Sequence, residues 1–246
     1  MLGELQLSSP RLGSEDLDAI AAYGARATWP ANFQIFQRGT SADGVFVVLH
    51  GRVALRSRVK SGRGFAAALA GSGETFGAEG LAPDGVYATD ARAEEECETL
   101  YLSGVRFRAF IREQPQQALA LLGQIMAERA ELLERLHELA TLSVEQRLLA
   151  AVSRLSAAGA FTREDGRVAL DPSQYRLLCE LVGATRESVS VVLSRLVGQG
   201  LVEREGAVVV IASRSMPQQR ARQNGTGEQD GPLEPHLKGD RDEANV

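Results

Sequence analysis

Cysteine and histidine are both scarce in this sequence, with two cysteines and three histidines in 246 residues. Cys97 and Cys179 lie far apart, so neither a disulfide framework nor the clustered ligands of a zinc or iron–sulfur centre is implied. Long apolar runs are missing as well. None reaches the roughly 18 residues that span a bilayer. Residues 1–10 mix Gly, Glu and Ser with their apolar side chains, unlike a signal peptide. The expectation is a cytoplasmic protein with reduced thiols and no membrane partner. An excess of positive charge is also absent: the formal net charge is -5 and the pI about 5.4. Any basic surface for nucleic acid must therefore be local. No nucleophile elbow, phosphate loop or zincin motif occurs. Of the histidines only His50 falls in the strand-rich half, so the two-His-one-carboxylate set of a metal-dependent oxygenase barrel is incomplete. No enzyme and no metal site are expected.

What is present begins with enough apolar material, 44% of residues, for one large domain or two small ones without staples. Residues 14–26 read as a short helix, with Ser14 as cap and Leu17, Ile20 and Ala21 on one face. Strand-like segments broken by glycines follow: residues 33–36, 45–49, 53–55, 65–69 and 99–102. Turns fall at residues 38–44, at His50-Gly51, at residues 60–64 and at Gly71-Ser72-Gly73. Short strands at this spacing predict a β-barrel or sandwich.

The pattern changes near Arg106. Between Ala118 and Ser143 there is no proline and no glycine except Gly123. Ala118, Ile125, Leu132 and Leu139 recur every seven residues, with Leu122, Arg129 and Leu136 between them. This is a heptad seam interrupted by Arg129. Two readings fit it: a helix packed on its own domain, or a dimerisation helix. A second helix is expected over residues 144–155 and a polar loop over residues 157–166. Residues 217–246 hold too few large apolar groups to offset the entropy of ordering, which predicts a disordered tail.

Residues 169–211 carry the chemistry. Asp171-Pro172-Ser173-Gln174 has the form of a helix start, in which Asp caps, Pro takes the first position and Gln reaches back. Leu177, Leu178, Leu181 and Val182 form its apolar face. Gly183 supplies a positive φ at its end. Thr185 then caps a second helix whose first turn carries Glu187 against the dipole. Val189, Val192, Leu193 and Leu196 are its buried stripe. A hairpin around Glu205-Gly206-Ala207 completes the unit. Helix, glycine turn, helix and hairpin make a winged helix-turn-helix, whose second helix enters the major groove N-terminal residues first. Arg186 matches the two acceptors of guanine, and Glu187 can accept from the cytosine amino group. Ser190 and Val191 tune the reading. Gln174, Arg176, Thr185 and Ser188 suit phosphate oxygens. A helical hairpin with solvated charges would carry the same pattern.

The run Gly183-Ala184-Thr185-Arg186-Glu187-Ser188-Val189-Ser190, with Leu193-Ser194-Arg195-Leu196 and Gln199-Gly200-Leu201-Val202, resembles the recognition helix of the cyclic-AMP receptor protein / fumarate-nitrate regulator (CRP/FNR) family. Upstream, Trp29-Pro30-Ala31-Asn32, Arg38-Gly39, Val48-Leu49-His50-Gly51-Arg52-Val53 and Gly73-Glu74-Thr75-Phe76-Gly77 are similar to its effector barrel. The resemblance implies an α+β chain: an N-terminal double-stranded β-helix (jelly-roll) effector domain at 1–108, a dimerisation helix at 109–143, a winged helix-turn-helix at 144–213 and the tail at 214–246. It favours the dimer reading of the seam and makes double-stranded DNA, a second copy and RNA polymerase the expected partners, the last through the 157–166 loop. One departure lies in the recognition helix. Many members carry a second arginine where this chain has Val191, which suits a thymine methyl instead. A variant palindrome is expected.

The effector segment departs further. The family's ribose-binding Glu falls on Ala78, beside Glu79, and its phosphate-binding Arg falls on Ala88, next to Thr89. Its adenine-reading pair falls on Leu132 and Leu133. A charge-assisted contact to the phosphate is worth roughly 1.5–3 kcal/mol. The pocket of Gly77, Ala78, Glu79, Ala88 and Thr89 is therefore expected to be degenerate, without cyclic AMP, although Arg92 lies close enough to substitute. Haem and an iron–sulfur cluster are not expected: His50 reads as a turn residue, His137 as solvated, and His236 falls in the tail. The alternative is gating by a cyclic nucleotide or another small ligand.

Overall fold

Val45 to Val48 are buried without alternation. A strand buried on both faces requires a layer on each side, and the computed structural model, which describes residues 11–58 and 64–211, provides both. Eight strands form the first half: β1 (Ala25–Trp29), β2 (Gln34–Phe36), β3 (Gly44–His50), β4 (Val53–Arg58), β5 (Gly64–Ala70), β6 (Thr75–Phe76), β7 (Asp90–Ala93) and β8 (Cys97–Ser103). They pair antiparallel in two four-stranded sheets, ordered β1-β8-β3-β6 and β2-β7-β4-β5, which is the jelly-roll arrangement. Phe46 and Val48 point between the sheets, into a core with Phe36, Val53, Leu55, Phe76, Tyr87, Ala91 and Ala93. Val45 and Val47 point the other way, with Leu100 and Leu102, onto three helices. These are α1 (Ser14–Ala21), α2 (Gly104–Glu113) and α3 (Pro115–Thr141), which contribute Ile20, Phe107, Phe110, Ala118 and Leu121.

The first helix is shorter than its sequence predicts. It ends at Ala21, because residues 25–29 are drawn into an edge strand against residues 97–101. Its cap is Gly13, whose N–H donates to Asp16 at 3.1 Å, so Ser14 is already the first helical residue. Strands β1 and β7 were not evident in the sequence. Ala-Arg-Ala-Thr-Trp and Asp-Ala-Arg-Ala offer few of the large branched side chains that mark strands.

The second half is α4 (Val144–Ala157), β9 (Val168–Leu170), α5 (Pro172–Val182), α6 (Arg186–Gly198) and the hairpin β10 (Val202–Glu205) and β11 (Val208–Ile211). Ser143 and Gln146 form a reciprocal cap for α4. The hairpin gains β9 as a third strand, ordered β10-β11-β9. One core joins the three helices and this sheet through Leu148, Val152, Leu178, Val189, Leu193 and Ile211. The two halves touch through α5, where Leu177 packs on Ala54 of β4 and Ala66 of β5. Arg135, 5% exposed on α3, ties three elements: it donates to the carbonyl of Ala67 on β5 and, at 2.6 Å, to that of Leu181 on α5. The expected tail at 214–246, His236, the turn residues 60–63 and residues 1–10 lie outside the described residues.

Candidate DNA-reading surface

Local chemistry builds the helix pair. Asp171 accepts the N–H groups of Ser173 and Gln174 at 2.7 and 2.9 Å, and Gln174 returns an oxygen to the N–H of Asp171 at 2.9 Å. The carbonyl of Gln174 is thus committed to the cap, and its amide remains free to donate. Gly183 ends α5 at φ 65°, and a Cβ there would sit 2.8 Å from Leu139 of α3. Conformation favours glycine here, and a Cβ would also oblige the Leu139 side chain to shift. Thr185 caps α6 by accepting from the N–H of Ser188 at 3.2 Å, and the two hydroxyls lie 3.1 Å apart.

The first turn of α6 therefore stands with Arg186, Glu187 and Ser188 exposed at its N-terminus. Hydrogen bonding from its own N–H and from Thr185 holds the Glu187 carboxyl below the usual range, so it is an acceptor at neutral pH. Val191 is 71% exposed on α6. Ser190 is half-buried, with its carbonyl accepting from Ser194 at 2.9 Å. Arg176 is exposed on α5.

Two further residues join this surface that sequence reasoning passed over. A groove of about 430 Å³ runs between α6 and the wing, lined by Tyr175, Arg186, Glu187, Ser190 and Arg204 among others. Tyr175 lies under Arg186, with the guanidinium carbon 5.6 Å from the ring centroid. Arg204 is flanked by two glutamates that are already engaged. Glu203 pairs with Arg167 and Glu205 with Arg163, each at 2.7 Å. Arg204 is left with no carboxylate partner among the described residues, on the side facing Arg186. The signal for it was the alternating Glu-Arg-Glu of the wing strand, in which the arginine points opposite to its neighbours.

On α3 the expected seam divides. Leu122 and Leu136 are exposed, 38% and 61%, as is Arg129. Ala118, by contrast, is 2% exposed in its own core, Ile125 packs against that core, Leu132 is half-buried and Leu139 lies against Gly183. The open stripe runs Leu119, Leu122, Met126, Arg129, Leu133 and Leu136, with 63% of Leu119, 54% of Met126 and 58% of Leu133 exposed. Two heptad stripes one residue apart lie side by side. The inner one belongs to the chain's own fold, so Ala118 has no surface left to offer a second chain.

In the effector segment Gly77 adopts φ 71°, and a Cβ on it would meet the rings of Phe36 and Tyr87 at 3.1 Å. Those rings stack at 3.7 Å and pack with Phe46 and Phe76 between the sheets, beside a cavity of about 580 Å³ that Phe36, Phe46, Tyr87 and Tyr101 help to line. Residues 78–81 form a 3-10 turn. Glu79 accepts the N–H of Ala88 at 3.1 Å, which closes the loop on itself, with Ala88 exposed and Thr89 half-buried. Arg92 does not reach inward: Ala91 and Ala93 fill the core, and Arg92 donates to the carbonyl of Asn32 at 2.9 Å. Toward α3, the Thr75 N–H donates to Gln124 at 3.1 Å, and its single hydroxyl proton is shared between Gln124 and, at 3.2 Å, Glu128. Burial, then Glu79, Glu131 and Glu74, push the Glu128 carboxyl up to about 7. A lining with this acidic bias is poorly matched to a cyclic phosphate. His50 and His137 are both exposed.

Comparison with known proteins places these two halves. The cyclic nucleotide-binding domain model matches residues 26–114, and the Crp-like helix-turn-helix domain model matches residues 146–216. The cyclic AMP receptor protein of Thermus thermophilus is 32% identical over 191 residues, 78% of this chain and 85% of that protein. The chain belongs to the CRP/FNR family of transcription regulators. The cAMP-activated global transcriptional regulator Vfr of Pseudomonas aeruginosa is 29% identical over 82% of this chain and 95% of its own length. Among solved structures, the c-di-GMP responsive regulator CLP of Xanthomonas campestris has the same fold, with a TM-score of 0.69 at 24% identity over 81% of this chain and 99% of that one. This CRP/FNR member is thus a DNA-binding transcription regulator of a family of regulators rather than enzymes, and no described helix is long and apolar enough to cross a membrane.

Proposed function

We propose that this CRP/FNR regulator works in the cytoplasm as a homodimer on palindromic promoter sites and is not gated by cyclic AMP. The observation that carries the reading is the first turn of α6, where Arg186 and Glu187 stand exposed at a capped helix N-terminus beside the unpaired Arg204. Arg186 donates to guanine and Glu187 accepts from cytosine in each half-site, while Ser190 and Val191 set the neighbouring preference. Gln174, Arg176, Thr185, Ser188 and, on the wing, Arg204 hold phosphates. The second chain packs on the open stripe from Leu119 to Leu136, which sets the two α6 helices about one DNA turn, roughly 34 Å, apart. The bound dimer contacts RNA polymerase through the 157–166 loop.

Independence from cyclic AMP is supported by Glu79 serving the N–H of its own loop, the outward Arg92 and the acidic lining near Glu128. The names of the curated relatives favour the other reading, a nucleotide gate. Operator selection from a palindrome library with purified full-length protein, with and without cyclic AMP, separates the two. Equal enrichment of one palindrome in both conditions supports the proposal. Enrichment only with the nucleotide overturns the ligand part, and no enrichment in either counts against the reading of Arg186 and Glu187.

A further inference from the structure

Arg186 has no carboxylate partner among the described residues. Its guanidinium rests on the face of Tyr175, 5.6 Å from the centroid, and the Tyr175 hydroxyl lies 3.5 Å from the Arg186 carbonyl. Tyr175 itself is anchored: it is half-buried against the core that holds Leu178 and Val189. An arginine free in solvent loses much of its rotamer entropy on binding. An ion pair would restrain it too, but would occupy the donors and cancel the charge that the base edge needs. A ring face restrains the guanidinium through the cation–π attraction and leaves all five N–H groups free.

We infer that Tyr175 is a positioning residue, a specificity determinant one helix away from the DNA bases, that holds Arg186 ready for bidentate contact with guanine. This rests on the base-reading role of Arg186. Tyr175 acts through its ring, and its hydroxyl contributes little.

The test is a comparison of full-length Tyr175→Phe, Tyr175→Leu, Arg186→Ala and the Tyr175→Leu/Arg186→Ala double variant by fluorescence anisotropy. The duplexes are the selected palindrome, the same palindrome with one guanine per half-site replaced, and unrelated DNA. Leu keeps the apolar packing and loses the π face. Tyr175→Leu is expected to lower the preference for that guanine about two- to fivefold, the range of an exposed cation–π contact. Its affinity for unrelated DNA should not move. Tyr175→Phe should behave as the parent, and Tyr175→Leu should add nothing once Arg186 is alanine. If Arg186→Ala leaves guanine preference unchanged at every position, the base-reading role fails and the inference with it. If Arg186→Ala relaxes the preference but Tyr175→Phe is as poor as Leu, or the two effects simply add, the base reading stands and the positioning role is wrong. A uniform loss on all three duplexes by Tyr175→Leu also overturns it, because misfolding or a phosphate contact would explain that loss.

Discussion

Arg56 of the barrel and Glu180 of the DNA-binding half approach to 3.1 Å, Nε to Oε2, with side chains only 8% and 15% exposed. The same guanidinium holds Glu94 at 2.9 Å, whose own carboxyl is raised by burial and drawn back down by Arg56. One cation therefore serves two shielded carboxylates at the joint between the halves. Removing it takes the ion-pair partner from Glu180 and leaves Glu94 only the charges of Arg92 and Arg176, which is the costly way to break a buried pair.

Arg56→Met should lower stability by about 3–5 kcal/mol in urea unfolding at neutral pH. A loss under about 1 kcal/mol would mean that water screens the pair more than its exposure implies.

The open stripe of α3 predicts two unlike outcomes from one type of change. Leu136→Glu should give a folded chain that elutes as a monomer in size-exclusion chromatography with light scattering, because the charge falls in the seam. Ala118→Glu should instead destabilise the barrel, since that site is 2% exposed within one chain. A dimeric Leu136→Glu variant would place the partner elsewhere.

Glu128 imposes a pH dependence. Its carboxyl, raised from 4.5 to about 7 by burial, faces Thr75 as a hydrogen-bonding neighbour and Glu79, Glu131 and Glu74 as charges. The folded state binds the proton more tightly than the unfolded state. Stability therefore falls as pH rises from about 4.5 to 7, and the penalty is complete above that. Glu128→Gln should flatten the slope between pH 5 and pH 8 in urea titrations. An unchanged slope would assign it to other groups.

The cap of α6 is testable by itself. Thr185→Ala removes the oxygen that accepts from Ser188 and should cost about 1 kcal/mol of stability. Thr185→Ser should restore it. Thermal unfolding of the three proteins reads this directly.

Much of the DNA-binding half was legible because its signals are local. Asp171-Pro172-Ser173-Gln174, Gly183 and Thr185 each act on backbone within a few residues, and all three form the caps or turn expected of them. Strands β3, β4, β5 and β8 were legible from their branched and aromatic runs. Edge strand β1, the alanine-rich β7 and β9 were not, since their pairing comes from distant partners.

The sequence by itself determined the order of the parts, the capped boundaries of α5 and α6 and the identity of the family, because these depend on neighbours along the chain. Only the tertiary structure decided which heptad stripe of α3 is covered. Two stripes one residue apart have the same period, and contact with β-strand and helix cores selects between them. It also decided that Arg92 turns outward and that Glu79 serves its own loop. Likewise, Tyr175 meets Arg186 only when two helices cross, and Arg204 loses its neighbouring glutamates only when β9 brings up Arg163 and Arg167. Such contacts join residues whose separation in sequence carries no periodic signal, so packing alone creates them.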